Sequence, residues 1–108
     1  MIEWSQLEAI DLCRKIESVC PKFGCHVALT GGLLYKNGDR KDCDILFYRI
    51  RQAAEIDMKG LWTALEPIGV EVIRGFGWCY KCVFKGKPLD CFFPEEQGSE
   101  YPESTDEP

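Results

Sequence analysis

The chain has 108 residues, 45% of them apolar and 12% aromatic, with a formal net charge of −5. That is enough apolar material for one hydrophobic core, and it excludes a wholly disordered chain. No apolar run approaches the ~20 residues that a bilayer span requires. No basic segment leads into an apolar run near Glu3 and Trp4, so the expectation is a cytoplasmic protein without a signal peptide.

The charge is unevenly placed. Residues 94–108 carry six acids and no base, whereas residues 1–93 carry 13 bases and 12 acids. The expected organisation is one folded domain over 1–93 followed by a solvated, acidic, mobile tail over 94–108. A nearly neutral body lacks the basic footprint of a non-specific nucleic-acid binder, and nothing suggests a membrane partner. Seven cysteines, an odd number without an export signal, read as reduced and mostly buried thiols.

Ser5 followed by Glu8 is a capping-box start. Ala9, Leu12, Cys13, Ile16, Val19 and Cys20 then recur at three- and four-residue spacing, which predicts one buried helical stripe ended by Pro21 and Gly24. Cys25 to Thr30 predicts a short strand that stops at Gly31-Gly32. After a polar loop around Asn37-Gly38, residues Asp42 to Tyr48 give the strongest strand signal. Asp57 is placed to cap a second helix, with Ile56 and Leu61 as its hydrophobic staple and Leu61, Trp62, Leu65 and Ile68 as its buried face. Three strands close the body, Val70–Arg74, Trp78–Phe84 and Pro88–Phe93, separated by turns at Gly75-Phe76-Gly77 and Lys85-Gly86-Lys87. This order predicts an α+β, two-layer fold: a mixed, largely antiparallel sheet with helices mainly on one face.

Within that frame, Asp42 and Asp44 stand two apart in a strand and share one face, while Cys43, Ile45 and Phe47 point into the core. Adjacent carboxylates repel, so their pairing calls for a cation or for solvent. Asp90 lies between Leu89 and Cys91 in another strand. If the two strands are neighbours, three carboxylates converge, a hard oxygen set that suits Mg²⁺ or Mn²⁺. Gly31-Gly32 allows a sharp turn and close backbone approach to a ligand, and free amides in such a turn can hold phosphate oxygens if a helical turn starts there. Lys36, Arg40 and Lys41 lie between the glycines and the acids. They are cations that could meet a triphosphate, although isolated loop lysines and arginines usually serve solubility.

Gly31-Gly32, nine intervening residues, Asp42-Cys43-Asp44-Ile45 and then Leu89-Asp90-Cys91 resemble the signature of the DNA polymerase beta-type nucleotidyltransferase superfamily. The stretch from Thr30 to Asp44 is most similar to the small-molecule branch, such as aminoglycoside nucleotidyltransferases. The resemblance implies a nucleotidyltransferase-like fold and transfer of an NMP from an NTP to a hydroxyl of a small molecule or protein. It also implies that Gly31 and Gly32, with Lys36, Arg40 and Lys41, hold the nucleotide. Asp42, Asp44 and Asp90 are the implied catalytic and metal-binding residues of a two-metal Mg²⁺ or Mn²⁺ site, with Asp90 helping to deprotonate the attacking hydroxyl. Two departures stand out. Gly32 occupies a place where many members carry Ser, and larger members add an acceptor-holding domain that is not expected within these 108 residues. The alternative is a non-catalytic, antitoxin- or phage-type regulatory protein of the same fold that binds a protein partner.

Cys79 and Cys82 have the gap of a zinc knuckle or redox pair. In a strand, however, positions three apart face opposite sides, and only Cys25-His26 offers a second adjacent pair. His26, with no acid motif beside it, reads as a packed strand residue. Trp62, Phe76, Trp78 and Phe92 read as core or rim aromatics, one of which could stack on a nucleobase.

Overall fold

A computed structural model describes residues 3–95. The first helix, α1 (Gln6–Glu17), begins as its sequence dictates. The Ser5 side chain accepts from the Glu8 N–H at 3.1 Å and Glu8 Oε1 accepts from the Ser5 N–H at 3.2 Å. Ala9, Leu12, Ile16 and, in the following 3-10 turn (Cys20–Phe23), Cys20 are buried, whereas Cys13 and Val19 are half-buried at the margin. Gly24 closes the turn at φ +88°, a conformation that favours glycine. The chain then enters β1 (Cys25–Thr30), a four-residue helical turn α2 (Gly32–Tyr35) and β2 (Cys43–Arg49). Next come α3 (Met58–Leu65), β3 (Val70–Phe76), β4 (Cys79–Phe84) and β5 (Lys87–Phe92). Asp57 caps α3 by accepting from the Gly60 N–H at 3.1 Å, and Ile56 and Leu61 are both buried.

The five strands form one sheet in the order β1-β2-β5-β4-β3. All pairings are antiparallel except β2 with β5, which is parallel. The two-layer expectation therefore holds, and the central parallel pair results from the long excursion through α3, β3 and β4 before the chain returns to β2. Alternation sorts each strand. Cys43, Ile45 and Phe47 of β2, Leu89 and Cys91 of β5, and Cys82 and Phe84 of β4 join Leu12, Ile16, Leu61 and Leu65 in one core cluster. The intervening residues make the opposite, more open face.

The structure corrects three readings. Asp42 lies just before β2 rather than inside it. The Gly75-Phe76 pair belongs to β3, not to a turn. Tyr80 sits opposite Gly75, and a Cβ on Gly75 would lie 2.9 Å from the Tyr80 ring, so glycine there lets an aromatic ring lie across the strand. Lys87 opens β5 and is only 5% exposed. Its ammonium pairs with Glu8 and lies 4.8 Å from the centre of the Trp4 ring. Trp4 is fully buried, stacks on Phe84 at 5.7 Å and donates from Nε1 to the Pro88 carbonyl at 2.7 Å. The segment before α1 is thereby fastened to the start of β5.

The expected tail lies outside the described residues from position 96 onward. Before that, Glu95 accepts from the Arg49 N–H at 2.6 Å.

The Lys87 pair, with the Ser5 N–H bond, holds the Glu8 carboxyl below its ordinary range. Glu8→Gln keeps the capping geometry but leaves a buried ammonium without its counter-charge. The expected loss is about 1–2 kcal/mol, read by denaturant unfolding. The loss should be full at neutral pH. It should shrink as acid titrates Glu8 in the wild type, because a depressed carboxylate contributes stability above its unfolded pKa and loses it as pH falls through the folded one.

Candidate functional site

The register builds the site. Thr30 opposes Asp44, Asp44 opposes Asp90, Asp90 opposes Lys81 and Lys81 opposes Arg74. Directly opposed residues share a face, so one row crosses all five strands with two carboxylates at its centre. Leu89 and Cys91 flank Asp90, and Cys43 and Ile45 flank Asp44. All four neighbours are fully buried on the other face, which fixes the direction of both acids.

The carboxyl groups of Asp44 and Asp90, opposite each other in the parallel register, interact directly. Burial first, then the neighbouring Asp90 and Asp42 charges, push the Asp44 carboxyl above its ordinary value, and Lys81 partly offsets this. Lys81 Nζ stands 3.1 Å from Asp90 Oδ1, with the Asp90 side chain 14% exposed and that of Lys81 45% exposed. This bond holds the ammonium pKa above its usual value. Sequence reasoning missed Lys81, because its place depends on the pairing of β4 with β5. Its one local signal was a charge alternating with Cys79 and Val83.

Gly31 lies against the Asp44 carboxylate. At φ +74° it turns the chain from β1 into α2, and a Cβ there would lie 2.4 Å from Asp44 Oδ2. Gly32 packs on Arg40, where a Cβ would lie 3.3 Å from Nε. That Nε is buried without a hydrogen-bond partner. The Arg40 backbone exchanges hydrogen bonds with Trp4 at 2.7 and 2.9 Å, pinning the loop between α2 and β2. Lys36 and Lys41, in the same loop, are exposed.

The structure thus brings together Asp44, Asp90 and Gly31, with Gly32 and Arg40 adjoining. Asp42 is exposed, yet near enough for its charge to act on both Asp44 and Lys81. Among the described residues, no three His, Cys, Asp or Glu side chains are gathered as a metal cage. Two neighbouring carboxylates, with the Asp42 charge acting on the first of them, are hard oxygen donors of the kind a divalent cation takes.

The thiols belong to the packing. Burial pushes Cys43 up to about 12, and Cys91 is raised as well, so both remain protonated. Cys82 is buried and Cys79 half-buried. His26 departs from the expectation, because Gly24 swings β1 back along α1. Its Nδ1 meets Glu17 Oε2 at 2.6 Å, while Glu17 Oε1 accepts from the Val27 N–H at 3.0 Å. Trp62 packs against Tyr80 and Phe93 at the core margin. Phe76 is exposed beneath Arg74, and Trp78 is exposed against Phe92.

No family model and no curated protein sequence matches the chain. Among solved structures it is similar to polymerase beta from Leishmania infantum, in a crystal structure described as a ternary P/T complex, with a TM-score of 0.66. The two are 12% identical. The match covers 85% of this chain but 43% of that one. The likeness is one of fold: the mixed five-stranded sheet and helices are arranged as in the matching part of that polymerase. The chain spans less than half of the polymerase, and the likeness carries nothing for the aminoglycoside branch. No helix among the described residues is long and apolar enough to cross a membrane.

Two outcomes follow from the geometry. A carboxyl raised above its unfolded pKa contributes stability that is present at low pH and lost as pH rises through the folded value. In metal-free protein Asp44→Asn should therefore raise the melting temperature by a few degrees at neutral pH. The gain should vanish as pH falls into the ordinary carboxylate range. Gly31→Ala should cost more than about 1 kcal/mol through its positive φ and the contact with Asp44. Adding Asp44→Ala should restore only the contact part, as a double-mutant cycle would measure.

Proposed function

We propose that the protein is a metal-dependent nucleotidyltransferase that moves an NMP from an NTP to a hydroxyl of a small molecule or protein. The observation that supports it best is the side-by-side placement of Asp44 and Asp90 on the open face, with Gly31 against the first of them. Asp42, Asp44 and Asp90 would hold Mg²⁺ or Mn²⁺. When bound, the cations supply activation of the attacking oxygen and neutralisation of charge on the leaving group.

The chain's own groups supply the rest. Asp90 accepts the proton of the attacking hydroxyl as the new O–P bond forms at the α-phosphorus. The bond from that phosphorus to the bridging oxygen breaks, and pyrophosphate leaves with its electron pair. Lys36, Arg40 and Lys41 would supply positive charge to the β- and γ-phosphates, with the unpaired Arg40 Nε a donor that local movement can release. Gly31 and Gly32 keep side chains out of the space beside Asp44 and Arg40. The small-molecule, aminoglycoside-like branch is the acceptor class we favour, on the spacing of the Thr30–Asp44 stretch.

One observation favours a binding role of the same fold. Edge strand β3 exposes Ile73 at 59% and Phe76 at 50%, an apolar edge that suits a protein partner. The two readings separate in one experiment. Each α-labelled NTP is incubated with the protein and Mg²⁺ or Mn²⁺, with and without cell lysate. Transfer of label by the wild type, reduced at least about 100-fold by Asp44→Asn or Asp90→Asn, supports the enzyme. Absence of transfer from every NTP would overturn it and leave the binding role.

A further inference from the structure

The acid row contains a cation that the proposed chemistry does not use. Lys81 lies on β4, opposite Asp90, and its ammonium bonds the very carboxylate that would ligate a metal. Asp90 is nearly enclosed while the Lys81 ammonium stays open to water, so the bond joins a sheltered carboxylate to a solvated cation. The lysine side chain is half-exposed, so the ammonium has solvent to move into. Asp44 and Asp42 face the same charge from the neighbouring strand and from the loop before it. Arg74, one strand further out, lies 4.9 Å over the Phe76 ring and, among the described residues, forms no ion pair with either acid.

We propose that Lys81 is a resident counter-ion of the Asp44–Asp90 pair, a positioning residue that holds the two carboxylates together without metal and that a divalent cation must displace. The inference rests on the metal-binding reading of these acids. In the metal-free protein the ammonium offsets their repulsion, so they keep their arrangement. When the cation arrives it takes over that neutralisation, and Lys81 swings into solvent. Lys81 thereby sets the metal concentration at which the site fills.

Mn²⁺ affinity, measured by titration calorimetry and by the paramagnetic signal of free Mn²⁺, tests this without turnover. Lys81→Met should lower the metal-free melting temperature and tighten Mn²⁺ binding on the order of tenfold. Lys81→Arg should stay near the wild type. Arg74→Ala removes the same unit of charge from the same row without touching an acid, and should change the affinity by no more than about twofold, since a screened charge one strand away acts weakly. Equal or weaker Mn²⁺ binding in folded Lys81→Met would overturn the inference while leaving the metal site intact. The same holds if Arg74→Ala tightens binding as much, because the effect would then be net charge alone. If Lys81→Met fails to fold, Asp90→Asn in the wild-type background gives the second reading. Because Asp90 is itself a ligand in this reading, the substitution should weaken Mn²⁺ binding, and in that background Lys81→Gln should change the affinity by no more than about twofold; a roughly tenfold effect of Lys81→Gln there would overturn the pairing. Absence of Mn²⁺ binding by the wild type and every variant would overturn the metal reading itself, and with it this proposal.

Discussion

Two carboxylates are held side by side by backbone pairing, and most of the molecule's particular features answer to that constraint. Two unit charges about 4 Å apart repel by ~4 kcal/mol at an effective dielectric of 20, a large fraction of the stability of a domain this size. The pair can persist because alternation leaves the acids no other direction. Turning Asp44 or Asp90 away would bring the buried neighbours Cys43, Ile45, Leu89 and Cys91 to the surface. A one-residue slip of β5 would do the same to the whole strand. The hydrophobic face therefore holds the electrostatic strain of the open face, and Lys81 relieves it locally.

The parallel β2–β5 pairing that creates this constraint is itself held from outside the pair. The indole of Trp4 reaches the Pro88 carbonyl and its backbone pairs with Arg40, so one buried residue ties the start of β5 to the loop that leads into β2. Lys87 adds a charged bond from β5 to the first turn of α1. The capping box and the core of α1 are thus coupled to the register of the acids. Changes at Glu8 or Trp4, on the helical side of the molecule, act on the same strand alignment that places Asp44 opposite Asp90.

Local signals carried most of the elements. The Ser5–Glu8 box, the stripe from Ala9 to Ile16, the Asp57 cap and the alternation around Asp44 and Asp90 each involve residues within a few positions of one another. Features set by distant pairing were not legible. Gly75 looked like part of a turn because nothing nearby in the chain reveals the Tyr80 ring that covers it. Lys87 looked like a turn residue because its partners, Trp4 and Glu8, lie some eighty positions earlier. His26 seemed to lack an acid because Glu17 belongs to the preceding helix, and only the left-handed Gly24 brings the two together. Lys81 was silent for the same reason. The convergence of Asp44 and Asp90 could be stated only conditionally, since a parallel pairing closed across α3, β3 and β4 leaves no trace in local periodicity.

The register irregularity between Val72 and Arg74 completes the charge pattern. Val72 opposes Cys82 on the core side, whereas Arg74 opposes Lys81 on the open side, so Ile73 is the extra residue of a bulge. Had β3 paired without it, Ile73 would stand opposite Lys81, and an isoleucine would end the row. The bulge instead gives the row a sequence of polarity: two acids at the centre, then Lys81, then Arg74. On the other side, the loop with Lys36, Arg40 and Lys41 leads directly into β2. Under the proposed function, that pattern would suit a ligand that brings cations and anionic phosphates together. The formal charge of the whole chain says nothing of this, because most of its excess acid lies beyond residue 93.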